Sequence, residues 1–192
     1  KKTHIGVKCR GCRFCNKHEP EVTFRKIAHA VPEFLGNRQL VLRNECDECN
    51  KAFSNLESHL DKFCKPYRCS SEIKGKNKVP SVKSKEKDKN KQTRFDHRPN
   101  HIPVITAPAG GKSSIHPEEG IVKYEYDIES YIPQSVYKCL VKIGLSVIPE
   151  AEVLNFKNAK EWILDIDNRT PNISPLMLHK TFIPGNQPHK KN

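Results

Sequence analysis

Cys12-Arg13-Phe14-Cys15 and Cys46-Asp47-Glu48-Cys49 are two C-x2-C pairs 30 residues apart, and between them runs Ile27-Ala28-His29-Ala30-Val31-Pro32-Glu33-Phe34-Leu35-Gly36-Asn37. Two such pairs let four thiolates reach one ion tetrahedrally, because each tight knuckle turns its backbone to aim both sulfurs inward. Asn16-Lys17, directly after the first pair, supplies a knuckle turn. An all-sulfur site is closed to solvent, so its zinc is structural and clamps the two ends of whatever lies between. A secreted disulfide framework seldom uses two pairs this tight. The pattern therefore predicts Zn2+ held by Cys12, Cys15, Cys46 and Cys49, in a reducing, cytoplasmic setting. Cys9 could compete with Cys12 for the metal, and Cys64, Cys69 and Cys139 remain ordinary thiols.

The rest of the composition narrows the partner. In 192 residues, Lys and Arg number 34 against 22 Asp and Glu, a formal charge of +12. A chain this basic usually meets a polyanion, and nucleic acid is the commonest. No apolar run approaches the roughly 18 residues of a spanning helix, so no membrane crossing is expected. Hydrophobic residues are 35% of the chain. A core this modest gains from a metal staple.

Three regions separate by composition: residues 1–73 with the cysteine pairs, 74–100, and 101–192. The middle one holds ten Lys or Arg between Lys74 and Arg98 against Glu86, Asp88 and Asp96. With almost no apolar residues it is not expected to fold on its own account. It reads as a solvated linker, as an arm along phosphates, or as both. The last region reads as a small α+β unit. Strands are expected at His101–Thr106 and Ile121–Tyr126, with a Gly110-Gly111 turn region between them. Pro133 opens a helix on which Gln134, Lys138, Lys142 and Ser146 recur at i, i+4, while Val136, Leu140, Val141, Ile143 and Val147 cover the other faces. That pattern predicts a mostly buried helix. A second helix starts at Pro149 and runs to about Asp165. The tail from Asn168 reads as irregular or as one short strand. Ala109-Gly110-Gly111-Lys112-Ser113 is set aside as a phosphate loop, because Thr106 stands where that loop needs a glycine.

The frame Cys12-x2-Cys15, His29-x2-Pro32, Leu35-Gly36, Asn44, Cys46-x2-Cys49, Asn50 resembles the HNH endonuclease family of the ββα-metal fold, in the branch whose cysteine pairs bracket the active site. The resemblance covers about residues 9 to 65. It implies a β-hairpin carrying the histidine, followed by a helix carrying a metal ligand, within an α+β fold. His29 would be the general base that activates water, a task suited to imidazole, whose free pKa is about 6.5. Asn44 would fix the hairpin and so orient the base. Asn50 would bind a catalytic divalent ion, Mg2+ or another. One position departs from the family: Ala28 stands where an acidic residue or histidine often supplies a second ligand. Either Asn50 acts with another group, or metal binding is weak, or activity is lost. Glu57 shares Asn50's helix face two turns on, about 10 Å away. Glu33 is a possible helper, and His59 reads as a surface or DNA-contact residue.

These readings converge on an endonuclease that hydrolyses DNA phosphodiester bonds with mostly backbone contacts. Arg13, Arg25, Lys26, Arg38, Arg43, Lys51 and Lys62 are candidates for those contacts. By family analogy the role is restriction or phage defence, with the region after residue 100 serving regulation, homo-oligomer formation or target recognition. The alternatives are a non-catalytic zinc module that binds nucleic acid and a protein-interaction adaptor.

Overall fold

A computed structural model describes residues 1–7, 11–98, 102–108 and 113–167. Cys9, the Gly110-Gly111 turn and the tail from Asn168 lie outside them. The fold is α+β. Strands β1 (Thr3–Ile5), β2 (Ala28–His29) and β3 (Leu40–Leu42) form one sheet in the order β1-β3-β2. The β2–β3 pair is antiparallel with His29 opposite Val41, and β1 runs parallel to the other edge of β3. Strand alternation explains how His29 is presented. Ala28 and Ala30 are buried, so the side chain between them turns toward the surface. The connection between β2 and β3 contains a 3-10 turn, Glu33–Leu35, ended by Gly36 at φ +89°. A side chain there would be strained.

Helix α1 (Asp47–Ser70) follows at once, completing the ββα order. Cys46 caps its start by accepting from the Cys49 amide, and Asp47 and Glu48 in the first turn face the positive end of the helix dipole. Arg68 and Cys69 are buried at its other end, which holds the last turns in place. Cys49, Phe53, Leu56 and Leu60 form the buried stripe, and Phe14 meets Phe53 edge-on with ring centroids 4.8 Å apart.

The lysine-rich stretch carries strands that fold against α1. Strand β4 (Val82–Lys83) pairs antiparallel with β5 (Arg94–Arg98), which pairs with β6 (Ile102–Thr106). Val79, Val82, Thr93 and Phe95 are buried, and Val82 and Phe95 pack on Cys69 of α1. Few apolar residues suffice because α1 supplies the opposing wall. Alternation sends Lys83 and Lys85 outward around buried Ser84. β6 therefore pairs upstream, while β8 (Ile121–Tyr124) pairs with β7 (Ser113–His116) as a separate ribbon.

Helix α2 (Pro133–Val147) packs along α1, and the second expected helix is divided into α3 (Glu150–Val153), a 3-10 turn Leu154–Phe156, and α4 (Lys157–Leu164) against α2. The polar ladder of α2 points inward. Lys138, Lys142 and Ser146 are 1%, 1% and 0% exposed, whereas Leu140 and Val147 are 37% and 45% exposed. Buried acceptors draw the lysines in: Lys138 Nζ donates to the Asp165 carbonyl and lies over the Trp162 ring. Among the described residues no helix is long and apolar enough to cross a membrane.

Candidate functional site

The two knuckles bring four sulfurs together, all within 4.8 Å of one another. Cys12 and Cys49 Sγ are 3.7 Å apart, and Cys15 and Cys46 Sγ 3.8 Å. A tetrahedral zinc with Zn–S bonds of about 2.3 Å has sulfurs about 3.8 Å apart, so the donors fit Zn2+ in both chemistry and spacing. Asn16 at φ +62° makes the first knuckle, where its amide donates to the Cys12 carbonyl at 2.9 Å. The second knuckle opens α1. The hydrogen bond from Cys49 outweighs burial and lowers the Cys12 thiol to about 4, while Cys49 itself is held far above the ordinary thiol value. Burial pushes Cys46 up to about 12. Such a cluster shares too few positive charges for its sulfurs, and a bound cation relieves that.

Beside this staple lies a cavity of about 270 Å³ lined by Ile27, His29, Pro32, Glu33, Phe34, Asn50, Glu57 and Lys76. The hairpin contributes His29, whose side chain is 21% exposed and whose Nε2 lies 3.8 Å from Glu33 Oε1. Helix α1 contributes Asn50, on the turn that Cys46 caps, and Glu57 two turns later. Sequence spacing alone separated Glu57 from Asn50, but the cleft is long enough to be lined by both. Lys76 arrives from the turn beyond α1. Ala28 is 1% exposed and opposite Leu42, so that position carries no ligand atom and faces the interior. Among the described residues the four cysteines are the only cluster of three or more His, Cys, Asp or Glu ligand atoms. His59 lies outside the cleft. Its Nδ1 accepts from the Ile132 amide at 3.1 Å, which ties α1 to the start of α2.

Behind His29 sits a residue that the sequence reading did not assign. Lys142 Nζ donates to the His29 carbonyl oxygen at 3.0 Å, and lies 3.2 Å from Glu45 Oε2 and 3.5 Å from Glu57 Oε1. Glu45 is fully buried with no aligned hydrogen-bond donor, so the lysine holds it by charge. Burial raises the Glu45 carboxyl to about 7 despite Lys142 pulling it down. One buried ammonium thus ties the backbone of His29 to an acid lining the cleft. The signal in the sequence was the polar ladder on an otherwise apolar helix.

Asn44 Nδ2 donates to Glu150 Oε1 at 3.3 Å, toward the start of α3, and the side-chain hydrogen bonds across the strand connection are made by Asn37. Its Nδ2 donates to the carbonyls of Val31 (2.6 Å) and Leu40 (3.1 Å), and its Oδ1 accepts from the amides of Gln39 and Leu40. Asn after glycine in a strand connection is the signal that could have found it. Arg13 is not free to meet phosphate, being 5% exposed. Its Nη1 donates to the Leu145, Ser146 and Ile148 carbonyls at the end of α2, at 2.6, 3.3 and 3.0 Å.

The other candidate cations are exposed, except Lys62. Arg25, Lys26 and Arg43 line one groove with His4, and that groove shares Ile27 with the His29 cleft. Arg38 donates to the Gly75 carbonyl at 2.8 Å, and Lys51 is exposed near the start of α1. Half-buried Lys62 lines a separate cavity. Residues 12–65 match the model of a family described as HNH endonuclease. That stretch runs from Cys12 through the hairpin and most of α1. No curated protein and no solved structure matches the chain.

Proposed function

Taking residues 12–65 as an HNH endonuclease segment, we propose that the protein is a metal-dependent nuclease that hydrolyses DNA phosphodiester bonds, with His29 as general base. The observation that carries this reading is the cleft that unites His29, Asn50 and Glu57 beside the four-cysteine staple. The His29 imidazole takes a proton from water as the water oxygen bonds to phosphorus and the P–O bond to the leaving group breaks. Glu33 steadies the ring from 3.8 Å. The Asn50 amide oxygen would be the protein ligand of a divalent ion, with Glu57 the carboxylate lining the same cleft; few protein ligands suit Mg2+, because that ion keeps most of its waters. When bound, such an ion neutralises charge on the phosphate and the leaving oxygen. Lys76 lines the same cleft and offers a cation to a phosphate oxygen. Contacts of this kind read the backbone, so cutting depends weakly on sequence. A role in restriction or phage defence rests on family analogy.

The test is nicking of supercoiled plasmid with added Mg2+, Mn2+ or Ni2+ against no added divalent ion, at equal zinc content. Ion-dependent nicking is expected. The buried Ala28 favours a second reading, a zinc-containing module that binds nucleic acid without cutting it. That reading predicts binding without divalent ions and no nicking with any of them.

A further inference from the structure

The geometry points to a second nucleic-acid site: a cavity of about 510 Å³ between the C-terminal half of α1 and the β4–β5 pair, which holds the phosphodiester backbone of a strand extending from the His29 cleft. Its walls carry six cations, Lys62 and Lys65 from α1, Lys78, Lys83 and Lys85 from the lysine-rich stretch, and Arg94 from β5. Two acids, Asp127 and Glu129, share the lining, and both are engaged. Asp127 accepts from the Lys85 amide, and Glu129 pairs with Lys65. Arg94 pairs with Asp96 at 3.1 Å, whereas among the described residues Lys62, Lys78, Lys83 and Lys85 form no ion pair, so four unpaired lysines line one concavity.

A lysine-rich surface is ordinarily just solvated, but here the backbone is fixed before any ligand arrives. Gly75 N donates to the Lys78 carbonyl at 3.3 Å, and Arg38 grips the Gly75 carbonyl. A Cβ on Gly75 would lie 2.8 Å from Arg68 Nη2, so the turn passes where a side chain does not fit without displacing that guanidinium. The turn also joins the two sites. Lys76 lines the His29 cleft and Lys78 the basic cavity, two residues and at most about 7 Å of chain apart. Along α1, Lys62 and Lys65 lie about 18–22 Å beyond Asn50. That is roughly six phosphates of one DNA strand at about 3.4 Å each. The direction of the track rests on the nuclease reading, whereas the binding itself does not.

The experiment is fluorescence anisotropy with a labelled duplex of about 24 base pairs, without added divalent ions, over a range of KCl. The protein is compared with a variant carrying Lys62→Gln, Lys78→Gln, Lys83→Gln and Lys85→Gln, with the pair Lys83→Gln/Lys85→Gln, and with Lys157→Gln on α4 as control. Each phosphate contact adds about 0.9 to the slope of log K against log salt. The quadruple variant should therefore flatten the slope by about 3 to 4, the pair by about 2, and the control by less than about 0.5. A slope altered by less than about 1 in the quadruple variant, with zinc content and helical signal intact, overturns the proposal. So does an equal effect of the control lysine. His29→Ala should keep the unaltered slope, so a protein that binds in this way but never nicks would refute the nuclease reading and leave the groove standing.

Discussion

Arg13 separates two accounts of this chain most sharply. Read from sequence it is a phosphate contact. In the structure it is a buried strut that joins the first zinc knuckle to the C-terminal end of α2. Arg13→Ala removes a guanidinium whose Nη1 reaches three carbonyls, two of them at 2.6 and 3.0 Å. A hydrogen bond from a charged donor contributes about 1.5–3 kcal/mol, and a cation at a helix C-terminus up to about 2 kcal/mol in partly buried geometry. These contributions overlap on one nitrogen, so the loss should be about 3–5 kcal/mol, or a fall in Tm of roughly 6–20 °C for a chain of this size. Thermal and urea unfolding at matched zinc content measures it, alongside the salt slope for duplex binding. The structure predicts a large stability loss and an unaltered slope. A variant that melts with the parent protein but binds DNA with a slope flatter by about 1 would refute the reasoning and restore Arg13 to the nucleic-acid surface.

Three further outcomes follow from the same contacts. Stripping zinc with a strong chelator should abolish the cooperative melt of the hairpin and α1, because the four thiolates clamp both ends of that unit; circular dichroism before and after zinc readdition checks this, and an unchanged melt would count against the staple. Asn37→Ala should cost about 2–4 kcal/mol by leaving the Val31 carbonyl and two amides unmatched, and should slow nicking although Asn37 lines no part of the cleft. A rate equal to the parent's would show that the hairpin does not depend on it. Lys142→Met should destabilise by about 3 kcal/mol by leaving buried Glu45 unpaired, and adding Glu45→Leu should recover most of the loss, since a buried pair is often replaceable by apolar residues. Denaturant titration of the two variants decides it, and a double variant weaker than the single one would contradict the pairing.

The sequence exposed features whose physics is local. Cysteine spacing announced the metal cluster. The resemblance carried by His29, Pro32, Leu35-Gly36 and Asn50 implied the hairpin and the helix after it. What stayed hidden depended on a partner element that no window of sequence contains. The α2 ladder of Lys138, Lys142 and Ser146 has the periodicity of a solvated face, and it turns inward because Glu45, the His29 carbonyl and the Asp165 carbonyl wait on the other side. The stretch around Val82 and Phe95 is too polar to fold alone, but α1 gives it a wall through Cys69. Asn37 and Asn44 flank β3 alike in sequence, and the strand connection decides which amide closes the hairpin. Arg13 was legible as a cation, but not as a cap for a helix more than 130 residues away.

A single-turnover assay decides whether the His29 cleft hydrolyses phosphodiester bonds. Cleavage of a labelled duplex in Mg2+ or Mn2+ would be timed for the parent protein and for His29→Ala, both zinc-loaded and both shown to bind the duplex. Loss of the general base should slow cleavage by about 10²-fold or more while binding is retained. Equal rates in the two proteins would contradict the account, because the cleft would then not be the place where the bond is broken.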